Sequence, residues 1–127
     1  MKKLYSVLMI CAVLLIAACR SDPMYTVQSA PLNPPPKATM ADVQRAIIRA
    51  GAARGWQMTP KEPGLIQATY ARRGHSATID IRYDLKSYSI SYVDSENLNY
   101  DGTNIHPSYN SWIHYLETDI PNQVAAI

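Results

Sequence analysis

A polar loop near the C-terminus holds the side chains of this sequence that are best suited to acid–base chemistry. It runs from residue 94 to residue 106 as DSENLNYDGTNIH, the least periodic part of the chain after the first forty residues. Functional residues concentrate on such loops. His106 is followed closely by Ser108 and Ser111, and a histidine base needs a nucleophile or a bound water within reach. No nucleophile-elbow pattern frames either serine, so we expect His106 to cap a helix or to make a buried hydrogen bond, and we expect no catalytic residue.

The same loop matches the first half of a calcium-binding loop. Asn97, Asn99, Asp101 and Gly102 occupy positions one, three, five and six of an EF-hand. The twelfth position is Ser108, where an EF-hand requires a bidentate glutamate. The histidines of the chain do not show the spacing of metal ligands either. The sequence therefore predicts a turn-rich loop that binds its own backbone, with no metal and no other cofactor.

If the domain recognises a partner, the loop is where we expect the contact. The candidate binding residues are Asp94, Ser95, Asn97, Tyr100 and His106. The acidic side chains of the loop have no basic neighbours in sequence, whereas the arginines cluster on other segments. Charge segregation of this kind steers encounters more than it stabilises a fold. Ordinary solvated surface is the alternative explanation.

The start of the chain is typical of an exported protein. Met1-Lys2-Lys3 is basic, and residues 4–16 form an apolar stretch that is too short to span a bilayer as a helix. It ends Leu15-Ile16-Ala17-Ala18-Cys19, which resembles the lipobox of bacterial lipoproteins. The resemblance implies a signal peptide over residues 1–18, cleavage before Cys19 by signal peptidase II, and acylation of Cys19. A secretory signal with a chance cysteine is the alternative.

The lipobox interpretation accounts for both cysteines of the chain. Cys11 leaves with the signal peptide and Cys19 carries the lipid, so no thiol remains for a disulfide, a nucleophile or a metal site. Several acyl chains attach a protein stably, because each buried methylene contributes about 0.8 kcal/mol. Arg20 rather than aspartate follows the cysteine. The sorting rule of enterobacterial lipoproteins then implies the periplasmic face of the outer membrane.

The charge balance argues against a nucleic-acid partner. The chain has 12 basic and 10 acidic residues, and loss of Lys2 and Lys3 with the signal peptide leaves ten of each. A neutral domain without a basic run binds phosphate backbones poorly. The partners we expect are the membrane, through the N-terminal lipid, and a periplasmic or outer-membrane protein.

Residues 20–38 have the composition of a spacer. Five prolines in nineteen residues, with no apolar period, argue against a packed element. Pro34-Pro35-Pro36 favours polyproline II, and such a tether would reach up to roughly 60 Å. We therefore assign residues 19–38 to an acylated cysteine and a proline-rich tether, and residues 39–127 to a periplasmic domain. A proline-rich docking motif is the alternative for the tether.

The predicted domain is organised around residues 64–93, where apolar and polar residues alternate. Turns at Arg73-Gly74 and at residues 84–87 make every pair on one face apolar, which fixes the register. The pairs are Ile66 with Ile81, Ala68 with Ile79, Tyr70 with Ala77, Ile81 with Ile90, Ile79 with Tyr92, and Tyr83 with Tyr88. The result is a three-stranded antiparallel meander, and residues 56–58 would fit a short fourth strand at its edge.

Two helices are predicted to cover the apolar face. The first begins at Thr39, with Asp42 close to a capping box, and stops at Gly55. The second begins at Pro107 and ends at Pro121, with apolar residues at helical spacing between them. The fold class is therefore α+β in two layers, with the sheet covered on one face by an N-terminal and a C-terminal helix.

Several short runs after residue 38 resemble a group of small bacterial lipoproteins of unassigned function. The runs are Ala50-Gly51, Arg54-Gly55-Trp56, Pro63-Gly64, Ala68-Thr69, Tyr88-Ser89-Ile90-Ser91-Tyr92, Asp94-Ser95, Asn97-Leu98, Tyr100, Ile105-His106, Tyr109-Asn110 and Trp112. The likeness implies no catalytic or binding residue. The predicted architecture is also similar to that of the small lipoproteins that accompany outer-membrane barrel assembly, and fold alone does not give function.

The sequence leads us to expect a lipid-anchored envelope protein that is an interaction or assembly module and not an enzyme. A binder of a small ligand or of peptidoglycan is the first alternative, and an envelope hydrolase is the second. An interaction module requires an exposed apolar patch or sheet edge. A hydrolase requires a cleft that holds His106 beside a serine or a carboxylate with a shifted pKa.

Overall fold

The computed structural model describes residues 20–127, which form a sheet with two helices on one face. The elements in chain order are β1 (Asp22–Pro23), β2 (Val27–Pro31), α1 (Met40–Ala53), β3 (Gln57–Glu62), β4 (Leu65–Arg72), β5 (His75–Tyr83), β6 (Ser87–Glu96), β7 (Asn104–Ile105) and α2 (Pro107–Ala125). Five of the strands form an antiparallel sheet in the order β2-β6-β5-β4-β3, and β1 pairs with β7. The α+β class is confirmed, with five strands in the main sheet where three and an edge piece were predicted.

The predicted register of the three central strands is confirmed. Ile79 on β5 lies opposite Ala68 on one side and opposite Tyr92 on the other. The turn between β4 and β5 has Arg73 at φ 53° and Gly74 at φ 79°. Two successive residues with positive φ are what a tight two-residue hairpin turn requires. Local turn chemistry and the alternation of side chains therefore specify the same pairing.

Strand β6 runs further than the alternation indicates. Ile79 lies opposite Tyr92, and the adjacent Thr78 lies opposite Asp94. Val93, between Tyr92 and Asp94, is therefore a bulge in β6. The strand continues past this bulge to Glu96. The first three residues of the predicted loop therefore belong to the sheet, and the loop proper begins one residue after Glu96.

Strand β3, at one edge of the sheet, is longer than the predicted edge piece. On one edge, β3 pairs with β4 from Gln57 opposite Thr69 to Glu62 opposite Leu65, so the edge piece suggested by the sequence is a full strand. Pro60 lies within it. An edge strand tolerates proline, because the missing backbone N–H would face solvent.

The prediction that residues 20–38 form an unpacked tether is wrong for residues 22–32. Strand β2 forms the other edge of the sheet, with Val27 opposite Ile90. Val27 and Leu32 are 2% and 4% exposed. Composition did not indicate this strand because Val27 is its one fully buried side chain, and because Pro31 stands at its end, where proline is tolerated. The folded domain therefore begins at Asp22 and not at residue 39.

Hydrogen bonds hold the segment around β1 against helix α2. The Tyr25 backbone N–H donates to Asn110 Oδ1 at 2.9 Å, and Asn110 Nδ2 donates to the Pro23 carbonyl at 2.9 Å. The Tyr25 hydroxyl donates to the Glu117 carboxylate, and the Tyr25 ring packs on that of His114 with centroids 4.1 Å apart. A spacer would not make such contacts, so this segment is an integral part of the domain.

The core lies between the sheet and the two helices. Helix α1 is capped as predicted, because the Thr39 N–H donates to Asp42 Oδ2 at 2.9 Å and the Asp42 N–H donates to Thr39 Oγ1 at 3.2 Å. The bond that the carboxylate accepts from the Thr39 N–H lowers the pKa of Asp42. The buried helix residues are Val43, Ala46, Ile47, Ala50 and Gly51 on α1 and Tyr109, Ile113, Leu116, Ile120 and Val124 on α2. Neither helix in residues 20–127 is long and apolar enough to cross a bilayer.

Helix α2 does not stop at Pro121, contrary to the prediction, and continues to Ala125. A proline inside a helix leaves the carbonyl four residues earlier, here that of Glu117, without its backbone donor. The Tyr88 hydroxyl donates to this carbonyl at 3.1 Å, and burial raises the pKa of Tyr88. A side chain of the sheet thus replaces the missing helical donor, and the extra turn brings Val124 into the core.

We expect Tyr88→Phe to lower the free energy of unfolding by about 1–3 kcal/mol, because the Glu117 carbonyl loses its donor. Pro121→Ala restores a backbone N–H to that carbonyl, so the same change should cost clearly less in a Pro121→Ala background. Urea unfolding of the parent protein, the two single variants and the double variant gives the coupling free energy between Tyr88 and Pro121. Equal costs in the two backgrounds would show that the hydroxyl does not act through Glu117.

Candidate functional site

Residues 97–106, which we call the clasp, fold back over one end of the sheet. Asn97 Nδ2 donates to the Gly74 carbonyl at 2.6 Å, and His75 Nδ1 lies 2.8 Å from the Asn97 carbonyl. Asn97 and Asn99 have φ values of 59° and 52°, which asparagine tolerates better than other residues with a Cβ. The Asn97 side chain therefore ties the clasp to the β4–β5 turn.

His106 caps helix α2, as predicted. Its Nδ1 accepts a hydrogen bond from the Ser108 N–H at 3.1 Å, and its own backbone N–H donates to the Leu98 carbonyl at 2.8 Å. The ring stacks on that of His75 with centroids 5.7 Å apart. Within residues 20–127, no serine hydroxyl and no carboxylate is hydrogen-bonded to the His106 ring. The geometry is that of a helix cap and not that of a base beside a nucleophile.

A cluster of tyrosines attaches the clasp to the core. The Tyr92 ring lies 4.2 Å from that of Tyr100 and 5.9 Å from that of Tyr109, measured between centroids. The Tyr92 and Ser95 hydroxyls are hydrogen-bonded at 2.7 Å. Burial raises the pKa of Tyr109. Two of the predicted binding residues, Ser95 and Tyr100, are therefore in contact with the tyrosine that joins the clasp to the sheet.

The acidic residues of this region bind backbone groups. Asp101 Oδ1 accepts from the Thr103 N–H at 2.9 Å and the Asn104 N–H at 2.7 Å, and these bonds lower the pKa of Asp101. Asp94 accepts from the N–H of Ser95 and lies on the outward face of the sheet opposite Thr78. In the part of the chain that the structure describes, no group of three His, Cys, Asp or Glu residues is placed to hold a metal ion.

The predicted site residues thus divide into two groups. Ser95, Asn97, Tyr100 and His106 surround one end of the sheet, where their polar groups and rings contact other parts of the protein. Asp94 faces away from them. The contacts of the first group favour a structural role, since they bind other parts of the protein and none of them lines the concave surface described next.

A concave surface that the sequence did not reveal lies where the end of α1, the end of β4 and the start of α2 meet. We call it the aromatic groove. It has a volume of about 430 Å³ and is lined by Ala53, Arg54, Trp56, Tyr70, Arg72, Ser108, Ser111, Trp112 and Tyr115. This volume lies within the usual range of binding pockets.

Aromatic rings form the floor and one wall of the aromatic groove. The centroids of Trp56 and Tyr70 are 5.3 Å apart, and Trp112 meets Tyr70 edge to face at 4.8 Å. Trp56 is 4% exposed whereas Tyr115 is 51% exposed, so the groove passes from a buried floor to an open rim. The chain has two tryptophans, and both line this groove.

Two arginines flank the rings. Arg54 Cζ lies 4.5 Å from the centroid of Tyr115, and Arg54 Nε donates to Asp119 Oδ2 at 2.6 Å. These contacts fix the Arg54 side chain in place. Arg72 is exposed at the end of β4, and among residues 20–127 it forms no ion pair. Its guanidinium is therefore available to a ligand with a negative charge.

Three separate stretches of the chain build this groove, which is why the sequence did not indicate it. Tyr70 continues the apolar alternation of β4, and Trp112 continues the apolar period of α2, so both were assigned to the core. Arg54 and Arg72 stand at the ends of elements, where charged residues need no explanation. The single local signal was that each tryptophan has a polar residue close by in the sequence: Trp56 follows Arg54 by two residues, and Trp112 follows Ser111.

Comparisons of the chain with protein-family models, with curated proteins and with solved structures find no match.

Proposed function

We propose that this protein is a lipid-anchored lipoprotein of the periplasmic face of the outer membrane, and that its domain is a binding module and not an enzyme. The lipobox-like run that ends at Cys19 supports the anchor, although Cys19 lies outside the described residues. The aromatic groove is the observation that supports binding.

The composition of the aromatic groove suits recognition. Tryptophan, tyrosine and arginine are enriched in the energetically important parts of protein interfaces, and here they line one concave surface. Tyr115 and Arg72 stand exposed at the rim, where a partner would meet them first. Ser108 and Ser111 add hydroxyls that can orient a bound polar group.

The same lining favours binding over hydrolysis. A hydrolase needs a general base within reach of a nucleophile or a water. The groove residues include two serines but no histidine, cysteine or carboxylate. His106 lies nearby in sequence, and its Nδ1 is occupied by the Ser108 N–H.

A binder of saccharides, including the glycan strands of peptidoglycan, is the second candidate. It is favoured by the cluster of aromatic rings formed by Trp56, Tyr70 and Trp112, whose apolar surfaces would pack against sugar rings. Sedimentation of the purified protein with isolated sacculi separates this candidate from a partner at the membrane.

A photocrosslinking amino acid at Tyr115 tests the proposed site in cells. We expect a discrete crosslinked product from Tyr115 and none from Leu85, which is also exposed but lies on the β5–β6 turn. Arg72→Gln should lower the yield from Tyr115 about tenfold or more if Arg72 is a hot spot. Arg82→Gln is the matched control, because Arg82 is an exposed arginine on the neighbouring strand.

Both arginine changes should leave the thermal midpoint nearly unchanged, since exposed substitutions usually alter stability by less than about 0.5 kcal/mol. Capture from Leu85 but not from Tyr115 would place the binding surface at the other end of the domain. Equal losses with Arg72→Gln and Arg82→Gln would show that the effect is one of net charge and not of the aromatic groove.

A further inference from the structure

The structure leaves little chain between the proposed lipid and the folded domain. Strand β1 begins at Asp22 and pairs with β7, with Asp22 opposite Ile105. Cys19 is three residues earlier, and three extended residues span at most about 10 Å. An acylated Cys19 would therefore hold this end of the domain at the membrane surface and not on a long tether. This step rests on the anchor in the proposed function.

The aromatic groove lies at the same end of the domain as β1. Asn110 in the first turns of α2 is hydrogen-bonded to Pro23 and Tyr25, while Ser108 and Ser111 of the same turns line the groove. The two features thus flank one end of one helix, whose diameter is about 10–12 Å. The groove is therefore within reach of the lipid headgroups.

The residues at this end are those that proteins place at a membrane surface. Arg54 and Arg72 line the groove, and Arg73 follows in the adjoining turn. Arginines near an anionic surface are attracted to it, and tyrosine and tryptophan favour the headgroup layer. The acidic Asp94 and Glu96 belong to β6 and face outward from the opposite side of the sheet. Asp119 pairs with Arg54, so Arg72 and Arg73, which form no ion pair within residues 20–127, supply the positive charge that favours this side at the membrane.

We propose that the aromatic groove docks on the headgroup layer of the membrane that holds the lipid anchor, with a phosphate-bearing lipid headgroup beside Arg72 and Arg73. The anchor supplies proximity, the arginines supply charge complementarity, and the rings of Trp112 and Tyr115 enter the interface. The headgroup is then the partner that the aromatic groove binds in the proposed function, and the domain acts at the membrane surface.

Tryptophan fluorescence tests this docking directly, because both tryptophans line the aromatic groove. The acylated protein is reconstituted into vesicles of phosphatidylcholine, alone or mixed with phosphatidylglycerol, that contain a lipid with a nitroxide on its headgroup. We expect the nitroxide to quench the tryptophans strongly in the mixed vesicles and less in phosphatidylcholine alone. Added salt should weaken the quenching, since it screens the arginines.

Arg72→Gln combined with Arg73→Gln should lower the ratio of docked to undocked protein about fivefold for each arginine removed. Arg82→Gln should leave the quenching unchanged. Equal quenching in both lipid mixtures, or in the double variant and the parent protein, would overturn the docking while leaving the anchor intact. Protein that fails to float with the vesicles would instead overturn the anchor, so the two failures are distinguishable.

Discussion

Replacing Cys19 with serine should abolish the lipidation of the protein. In the lipobox interpretation, the Cys19 thiol receives the diacylglycerol, and a serine hydroxyl does not replace it. In that interpretation the acyl chains provide the attachment, because each buried methylene contributes about 0.8 kcal/mol. We expect an uncleaved precursor or a soluble periplasmic form that carries no lipid.

Metabolic labelling with a palmitate analogue, followed by membrane fractionation, measures this loss. Cys11→Ser is the matched control, because Cys11 lies within the predicted signal peptide and should be dispensable for labelling. Label that persists in Cys19→Ser would contradict the lipobox interpretation. Label that disappears in Cys11→Ser would move the acylated residue upstream.

Replacing Ile79 with alanine should destabilise the domain by about 2–5 kcal/mol. Ile79 is fully buried on β5, between Ala68 and Tyr92. Truncation removes buried methylene and methyl groups and leaves a cavity that the neighbouring strands cannot fill without shifting. A domain of this size has a total stability of about 5–15 kcal/mol, so the change removes a large part of it. Urea unfolding followed by tryptophan fluorescence gives the value.

Thr78→Ala is the control for this prediction, since Thr78 is the adjacent residue on the opposite face of β5. Its side chain is half-buried, and its Oγ1 lies 3.2 Å from Thr69 Oγ1. Loss of that hydrogen bond should cost about 0.5–1.5 kcal/mol, which is less than the expected effect at Ile79. Equal effects at the two positions would show that the assignment of the faces is wrong.

The sequence by itself determined the centre of the sheet and the starts of both helices. Side chains in a strand alternate between two faces, so the apolar pairs around Ile79 permitted one register. Thr39 with Asp42 and Pro107 are local signals that act within one turn of a helix. These features depend on residues close together in the chain, and the structure reproduces all of them.

Only the tertiary structure decided that residues 22–32 belong to the domain and that α2 continues beyond Pro121. Strand β2 has few buried side chains, and its stability depends on the backbone of β6, some sixty residues later. In the last turn of α2, the Tyr88 hydroxyl of the sheet donates to the Glu117 carbonyl, which Pro121 leaves without its helical donor. Neither composition nor periodicity indicates which residues will contact each other when they lie so far apart in the sequence.

The same reason explains the candidate sites. The sequence favoured the polar loop as the binding site. In the structure, hydrogen bonds from Asn97 to Gly74 and from His106 to Leu98 hold this loop against the domain as the clasp. The aromatic groove is assembled from three segments, each of which satisfies an ordinary helix or strand pattern. A strand or a helix is specified by the spacing of its own residues, whereas a surface is specified by which chain ends meet. The packing of the sheet and helices decides which chain ends lie together, so only the three-dimensional structure reveals the aromatic groove.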